Sequence, residues 1–239
     1  MQTTTILNVP FHVTTIAEAT TILHSFLKTD KNHMVITPNP EIVVNANKDP
    51  QLLNIIKSAS LVVPDGIGIV IASKFSEQKI SERVAGYDLI TNFFATAAQK
   101  TTVYILGAKP TVAEVAAQNI QKKYPNIQVV GQHSGYFDKN QEELIKGEIR
   151  EKKPQVLLVA LGSPKQEKWM YENKDLPVNI SIGIGGAVDV MAGTVKRAPR
   201  IFIKLNLEWF YRLLTNPKRI IRMGALPLFV VKVLFASKK

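Results

Sequence analysis

The chain has 239 residues, of which 30 are Lys or Arg, 19 are Asp or Glu and none is Cys, giving a formal net charge of +11. With 46% hydrophobic and 21% charged residues, it buries one sizeable core, or one core with an appendage, and is not an intrinsically disordered chain. The lack of cysteine excludes disulfides and thiolate metal sites and favours a reducing cytosol.

No signal peptide is expected, because "MQTTTILNVPFHV" has no basic segment followed by an apolar one. The first helical pattern is "TIAEATTILHSFLK" (15–28), followed by a β-branched, apolar run, "HMVITP" (33–38). The alternation then repeats along the chain. "PQLLNIIKSA" (50–59) precedes "SLVVPD" (60–65), and "YDLITNFFATAAQK" (87–100) precedes "TVYILG" (102–107). "TVAEVAAQNIQKKY" (111–124) leads to "IQVVG" (127–131), "QEELIKGEIREK" (141–152) to "VLLVALG" (156–162), and "PKQEKWMYENK" (164–174) to "VNISIGIGG" (178–186). Continuous apolar strands separated by helices predict an α/β, Rossmann-like fold, a mainly parallel sheet covered by helices on both faces.

The charge divides the chain. Residues 196–239 hold 11 Lys/Arg and a single acid, Glu208, whereas residues 1–195 are close to neutral. We expect an α/β catalytic domain over 1–195 and a basic, amphipathic, helical C-terminal appendage over 196–239. The closest approach to a long apolar run, "MGALPLFVVKVLF", is interrupted by Pro227 and Lys232 and is too short to span a membrane.

Ligands of such sheets sit beyond the carboxyl ends of the strands. The residues leaving each run are "TPNPE" (37–41), "PDGIG" (64–68), "GAKPT" (107–111), "GQHSGYF" (131–137), "GSPKQE" (162–167) and "GIGGAVD" (183–189). Any one of these is an ordinary strand-to-helix turn. Six together on one sheet edge favour a polar, phosphorylated small molecule.

Several chemistries have no support. "GIGGAVD" is not the G-x-G-x-x-G of a dinucleotide site, no P-loop occurs, and "GQHSG" lacks the spacing of a nucleophile elbow. The four histidines show no metal-ligand spacing and no D-x-D pair is present, so neither a metal nor a cofactor is expected. Asp65 ends a buried run beside Gly66 and is the candidate general base; capping of the following helix explains it equally well on spacing. Thr37 and Asn39 leave the neighbouring run in the same way and fit turn-forming roles as well.

The blocks "TPNPE", "PDGIG", R-x-x-G-x-D (Arg83, Gly86, Asp88), "LGSPKQE-x-W", "GIGGAVDVMAGTVKRAP" and "LEWFYRLLTNPKRIIR", in this order from about residue 33 to residue 222, together resemble the WecG/TagA/CpsF glycosyltransferases. The resemblance implies an inverting enzyme that moves a sugar from a UDP-sugar to N-acetylglucosamine on undecaprenyl diphosphate at the cytoplasmic membrane face. The donor is UDP-N-acetylmannosamine in the TagA type, which serves wall teichoic acid linkage-unit synthesis, and the corresponding uronic acid in the WecG type. Overall likeness favours the former. It further implies Asp65 as general base, with Thr37, Asn39, Arg83 and Gln166 lining the reaction pocket, and Gly185, Gly186 and Asp189 holding the nucleotide. Gly107, Lys109, Tyr136 and Gly162, on the other strand exits, are further candidates for contact with the donor.

The basic segment fits this chemistry, because a departing diphosphate gains charge that arginine forks suit. Arg212, then Arg219 and Arg222, are the residues expected to reach it, the last two three apart on a helix opened by Asn216 and Pro217. Trp209, Phe210, Tyr211 and Phe229 are expected at an anionic membrane surface. The apolar face of the appendage also fits a subunit interface, and hence a homo-oligomer. Its aliphatic end speaks against nucleic acid. A non-catalytic nucleotide- or lipid-binding module is the alternative of a different class.

Overall fold

The computed structural model describes residues 1–215 and 224–236. Strands β3 (His33–Ile36), β4 (Leu61–Val62), β5 (Thr101–Gly107), β6 (Ile127–His133), β7 (Val156–Ala160) and β8 (Ile180–Gly183) form one sheet in the order β4-β3-β8-β7-β5-β6. Every neighbouring pair is parallel. All six runs read as strands from the sequence are therefore strands. A separate hairpin, β1 (Thr3–Ile6) and β2 (Val9–His12), precedes them. It is a difference from the sequence reading, since "TTTILNVPFH" has the alternation of strands but was assigned no element. The hairpin covers the short edge strand: His12 Nδ1 accepts the Val62 N–H at 3.0 Å, occupying a donor that an open edge would expose.

Helices α2 (Pro40–Ala46), α3 (Pro50–Lys57), α4 (Ile67–Ser73), α7 (Lys139–Lys152) and α8 (Lys165–Glu172) share one apolar cluster with the hairpin. Helices α1 (Ile16–Phe26), α5 (Gly86–Ala95), α6 (Pro110–Lys123) and α9 (Ala187–Met191) share a second on the opposite face. The strands divide between them by period: Tyr104, Leu106, Leu157 and Val159 face the first cluster, whereas Val103, Ile105, Val156 and Leu158 face the second. This is why the strands read as unbroken apolar runs. Side-chain caps start several of these helices, as at Thr15 for α1, Asn39 for α2, Asp49 for α3 and Asp138 for α7.

The C-terminal segment contributes α10 (Arg200–Lys204), α11 (Glu208–Thr215) and α12 (Ala225–Ala236). Helix α12 packs on α2 and α4, with Phe229 and Val233 buried in the first cluster. Phe229, expected at a membrane surface, is thus corrected: it is 2% exposed because the face of α12 that carries it is used to cover α2 and α4.

One close contact fixes the β5–β6 pair. A Cβ on Gly131 would stand 2.4 Å from Cε2 of the fully buried Tyr104, whose hydroxyl donates to Glu148 Oε2 at 2.6 Å. Gly131→Ala is expected to displace the ring and cost about 1–3 kcal/mol, read by urea unfolding. Tyr104→Phe, which loses only the hydrogen bond, should cost about 1 kcal/mol.

Candidate active site

Strand β3 turns into α2 on one face of the sheet, and its neighbour β8 turns into α9 on the other. Their connections part company there, which opens a crevice at the carboxyl ends of the two strands. Thr37 leaves β3 into this crevice and donates from Oγ1 to the Gly183 carbonyl at 3.5 Å. The Asp65 N–H donates to the Pro38 carbonyl at 3.1 Å, and the Val84 N–H to the Pro64 carbonyl at 2.9 Å. Gly86 admits the Thr37 side chain, since a Cβ there would lie 3.2 Å from Oγ1. Four backbone and side-chain contacts thus gather Thr37, Asn39, Asp65 and Arg83 at one edge.

Within this group the roles differ. Asn39 Oδ1 accepts the Ile42 N–H at 3.0 Å and caps α2, so its turn-forming role is realised. The N-cap of α4 is Gly66, at φ +131°, with no side-chain cap. Asp65 lies one residue before that position, half-buried at the end of its strand.

Gln166 reaches the same crevice from α8. Its Oε1 accepts the Gly185 N–H at 3.2 Å, and its Nε2 donates to Glu167 Oε1 at 2.9 Å. The amide lies flat on the end of β8, where a Cβ on Gly183 would stand 2.7 Å from Nε2. Gly185 adopts φ +46°, and Gly186 then precedes α9, which carries Asp189. Thr37 and Gln166 therefore both meet the Gly183–Gly185 stretch by which the chain leaves β8.

Arg83 belongs to a second arrangement. It bonds Glu208 of α11 at 3.2 Å and lies 3.5 Å from Asp88, while Arg197 pairs with the other Asp88 oxygen and stacks 4.7 Å from the Tyr87 ring centroid. The result is an alternating row, Arg197–Asp88–Arg83–Glu208, that fastens the C-terminal segment to the body. Arg83 is expected from the resemblance to line the reaction pocket; its guanidinium also bonds the appendage's one acid. The lone carboxylate of a segment otherwise strongly basic is the sequence signal for Glu208, since an isolated acid there needs a cation from elsewhere.

The remaining candidates gather at the other strand ends. Gly107, at φ +134°, is glycine because a Cβ would meet the Ala160 backbone at 2.4 Å. The Gly135 N–H donates to the Ala108 carbonyl at 2.8 Å, which brings the β6 turn with Tyr136 against the β5 turn with Lys109. Tyr136 and Lys109 are exposed, and Gly162, at φ +75°, follows β7. Trp209 and Phe210 are exposed on α11, whereas Tyr211 is half-buried against Phe202, 5.4 Å between ring centroids. Arg212 is on α11; its side chain, and Asn216, Pro217, Arg219 and Arg222 altogether, lie outside the described residues. A cavity of about 500 Å³ lined by Tyr87, Phe94, Lys123, Met191 and neighbours takes in none of the predicted site residues.

The model of the glycosyl transferase WecG/TagA/CpsF family matches residues 4–239. The chain belongs to this family. Across its whole length it is 38% identical to a Bacillus subtilis protein named N-acetylglucosaminyldiphosphoundecaprenol N-acetyl-beta-D-mannosaminyltransferase, covering 93% of that relative. Proteins of the same name from Bacillus spizizenii and Staphylococcus aureus are 39% and 37% identical, over 88% and 98% of this chain and 82% and 93% of theirs. In this member of the WecG/TagA/CpsF family, the blocks singled out in the sequence lie at strand exits: "TPNPE" follows β3, "PDGIG" follows β4, "SPKQE" follows β7 and "GIGG" leaves β8. The R-x-x-G-x-D, "KRAP" and "LEWF" blocks meet in the ion row.

Two predictions follow from the charged groups. Arg83 and Glu208 side chains are 13% and 10% exposed, and removing one partner of a buried pair strands the other. Glu208→Ala is expected to cost about 3 kcal/mol and to open α11 to protease, whereas the exposed Lys152–Glu148 pair should matter little. Glu167 is fully buried, and this burial pushes its carboxyl above the ordinary 4.5, against smaller opposing effects of the Gln166, backbone and Ser163 hydrogen bonds. The folded state then holds a proton that the unfolded state releases, so this contribution is complete below pH 4.5 and is lost as pH rises through the folded value. The unfolding free energy of the protein should therefore fall relative to that of Glu167→Gln as pH rises on the alkaline side of 4.5; a pH-independent difference would contradict the assignment.

Proposed function

We propose that this chain is an inverting transferase that moves N-acetylmannosamine from UDP-N-acetylmannosamine to the 4-hydroxyl of N-acetylglucosamine on undecaprenyl diphosphate, in wall teichoic acid linkage-unit synthesis. The observation that carries the reading is the full-length likeness, at 37–38% identity, to proteins named for this transfer. The crevice supports it: a carboxylate, an arginine and a primary amide gather where an α/β sheet binds its ligands.

In this reading Asp65 takes the proton of the acceptor hydroxyl as its oxygen attacks the anomeric carbon, and the bond to UDP breaks on the opposite face. General-base assistance of this kind contributes roughly 10²–10⁴-fold. Thr37 and Gln166 orient the reacting sugars, with Asn39 holding the turn between them. The Gly185–Gly186 turn and Asp189 take the nucleotide, and Gly107, Lys109, Tyr136 and Gly162 border its approach. Arg212, Arg219 and Arg222 are assigned to the leaving diphosphate, each fixed donor worth roughly 3–4 kcal/mol in the barrier when well placed. Among the described residues no group of three or more His, Asp or Glu could hold a metal ion, and the reading uses fixed cations for the same charge.

The acceptor's polyprenyl chain places the reaction at a membrane. No helix among the described residues is long and apolar enough to cross one. We assign residues 196–239 to peripheral docking on the inner, anionic face, through exposed Ile201, Leu205, Trp209, Phe210 and Leu214 and the surrounding cations. Residues 1–195 form the catalytic body. A second copy of the chain on the same apolar surface would make a homo-oligomer, and vesicle binding by a monodisperse monomer excludes that use.

The deciding experiment follows UDP release with a short-chain lipid diphosphate N-acetylglucosamine acceptor, in EDTA, in neutral or anionic vesicles. Acceptor-dependent release from UDP-N-acetylmannosamine, faster on anionic vesicles, is the expected outcome. Release only from the uronic acid donor would move the chain to the other branch of the family. Asp65→Asn should lower kcat by roughly 10²–10⁴-fold while UDP still binds; loss of binding with no separate effect on kcat would remove Asp65 from the chemistry.

A further inference from the structure

Glu167 has no place in the reaction as proposed, yet it is the most completely buried acid described, at 0% exposure. It stands in the first turn of α8, one residue beyond Gln166. Its Oε1 accepts the Gln166 Nε2–H at 2.9 Å. Its Oε2, and the hydroxyl of Ser163 beside it, are buried without a hydrogen bond of good geometry. A buried polar atom left unsatisfied is costly, so an acid kept here needs a use.

The use is visible one bond further on. A primary amide can rotate by half a turn and exchange its oxygen and nitrogen at almost no steric cost. The Gly185 N–H favours the oxygen end of Gln166, and an acceptor at the other end reinforces that choice. A carboxylate oxygen, or the carbonyl oxygen of the neutral acid, accepts only, so Glu167 Oε1 takes the Nε2 end and leaves the Gln166 oxygen towards Gly185, where it accepts at 3.2 Å. A flipped amide would set two donors facing each other, Nε2–H against Gly185 N–H, and two acceptors facing each other at Glu167. Gly185 is held at φ +46°, and its neighbour Gly183 meets both the Gln166 amide and the Thr37 hydroxyl. The orientation of one amide thus reaches the whole β8 turn.

We propose that Glu167 is a positioning residue of the transferase, a buried acceptor that locks the Gln166 amide in one orientation and through it the Gly185 turn. The inference rests on the proposed transfer for its kinetic consequence, but not for its structural one. Burial, which favours the protonated acid, supports the same arrangement: the carbonyl oxygen faces Gln166, and the acid proton lies on Oε2, where Ser163 Oγ can accept it. The role therefore requires an acceptor oxygen, not a charge.

Two substitutions separate these requirements. Glu167→Gln keeps the acceptor oxygen and offers Ser163 a donor in place of the acid proton. Glu167→Leu keeps the volume and removes the acceptor. The Gly185 amide exchange rate, read by NMR on the full chain, should match the unmodified protein in Glu167→Gln and rise at least tenfold in Glu167→Leu. With UDP-N-acetylmannosamine and the lipid acceptor, Glu167→Gln should keep kcat within about threefold, and Glu167→Leu should lose on the order of tenfold or more, since small misplacements in a reacting pair are costly. In the Gln166→Ala background, Glu167→Leu should add less than twofold, because its effect passes through Gln166.

Unchanged Gly185 exchange in Glu167→Leu, losses that multiply in the double variant, or a Glu167→Gln as impaired as Glu167→Leu would each overturn the proposal. So would failure of Glu167→Leu and Glu167→Ala to fold beside a sound Glu167→Gln with altered Gly185 exchange. Should the unmodified chain transfer no sugar from either donor, the functional reading falls, and the Gly185 exchange rates still decide the positioning role.

Discussion

The crevice depends on how closely the Gln166 side chain lies against the end of β8. A Cβ at Gly183 would stand 2.7 Å from Gln166 Nε2, closer than real Cβ atoms approach, and a tight 3.3 Å from Met170 Cε. Because residue 183 has no side chain, α8 can set an amide on the strand terminus, and the carbonyl of the same residue can accept from Thr37. The β3 and β8 connections, which leave for opposite faces of the sheet, are thereby joined across the gap that their divergence opens. Without that joint the switch point would be a cleft between two independent turns. With it, residues from β3, β7 and β8 share one fixed frame.

In the proposed transfer that frame suits the chemistry because each of its parts already has a structural reason to stay put. Asn39 caps α2, Gly86 accepts the Thr37 side chain, and the Asp65 backbone is bonded to Pro38. Groups held in this way lose little further freedom when a substrate arrives, which is how preorganised polar sites gain over water. The same economy explains why strand exits rich in glycine and proline do not become slack loops. Gly107 and Gly66 take backbone angles that other residues resist, and each brings its chain into contact with a neighbouring turn.

Much of this was legible in the sequence. Six apolar runs with intervening helical spacing dictated the parallel sheet, because a strand buried on both faces has no polar side to display. The strand exits pointed to the crevice for the same reason. The N-terminal hairpin escaped, since Leu7 and Asn8 make its turn at φ +47° and +66° without the glycine that usually marks one. Phe229 was misplaced because an apolar helix looks alike whether it covers a core or faces a bilayer; only its packing on α2 and α4 decides between them. The contacts of Arg83 were hidden for a deeper reason. Its partner Glu208 lies 125 residues away, and no periodicity within either segment encodes that distance.

The ion row also resolves a conflict in the charge of the chain. A C-terminal segment with 11 cations would be repelled by Arg83 and by any other cation at the crevice. Glu208 and Asp88 interleave with Arg83 and Arg197, so the four charges cancel where the segment meets the body and cost less to desolvate together than singly. A near-neutral seam is the distribution expected where a segment of strongly basic composition must be fastened to its own protein. Local neutrality at the joint, rather than net charge along the sequence, is what permits so basic a segment to pack against the body.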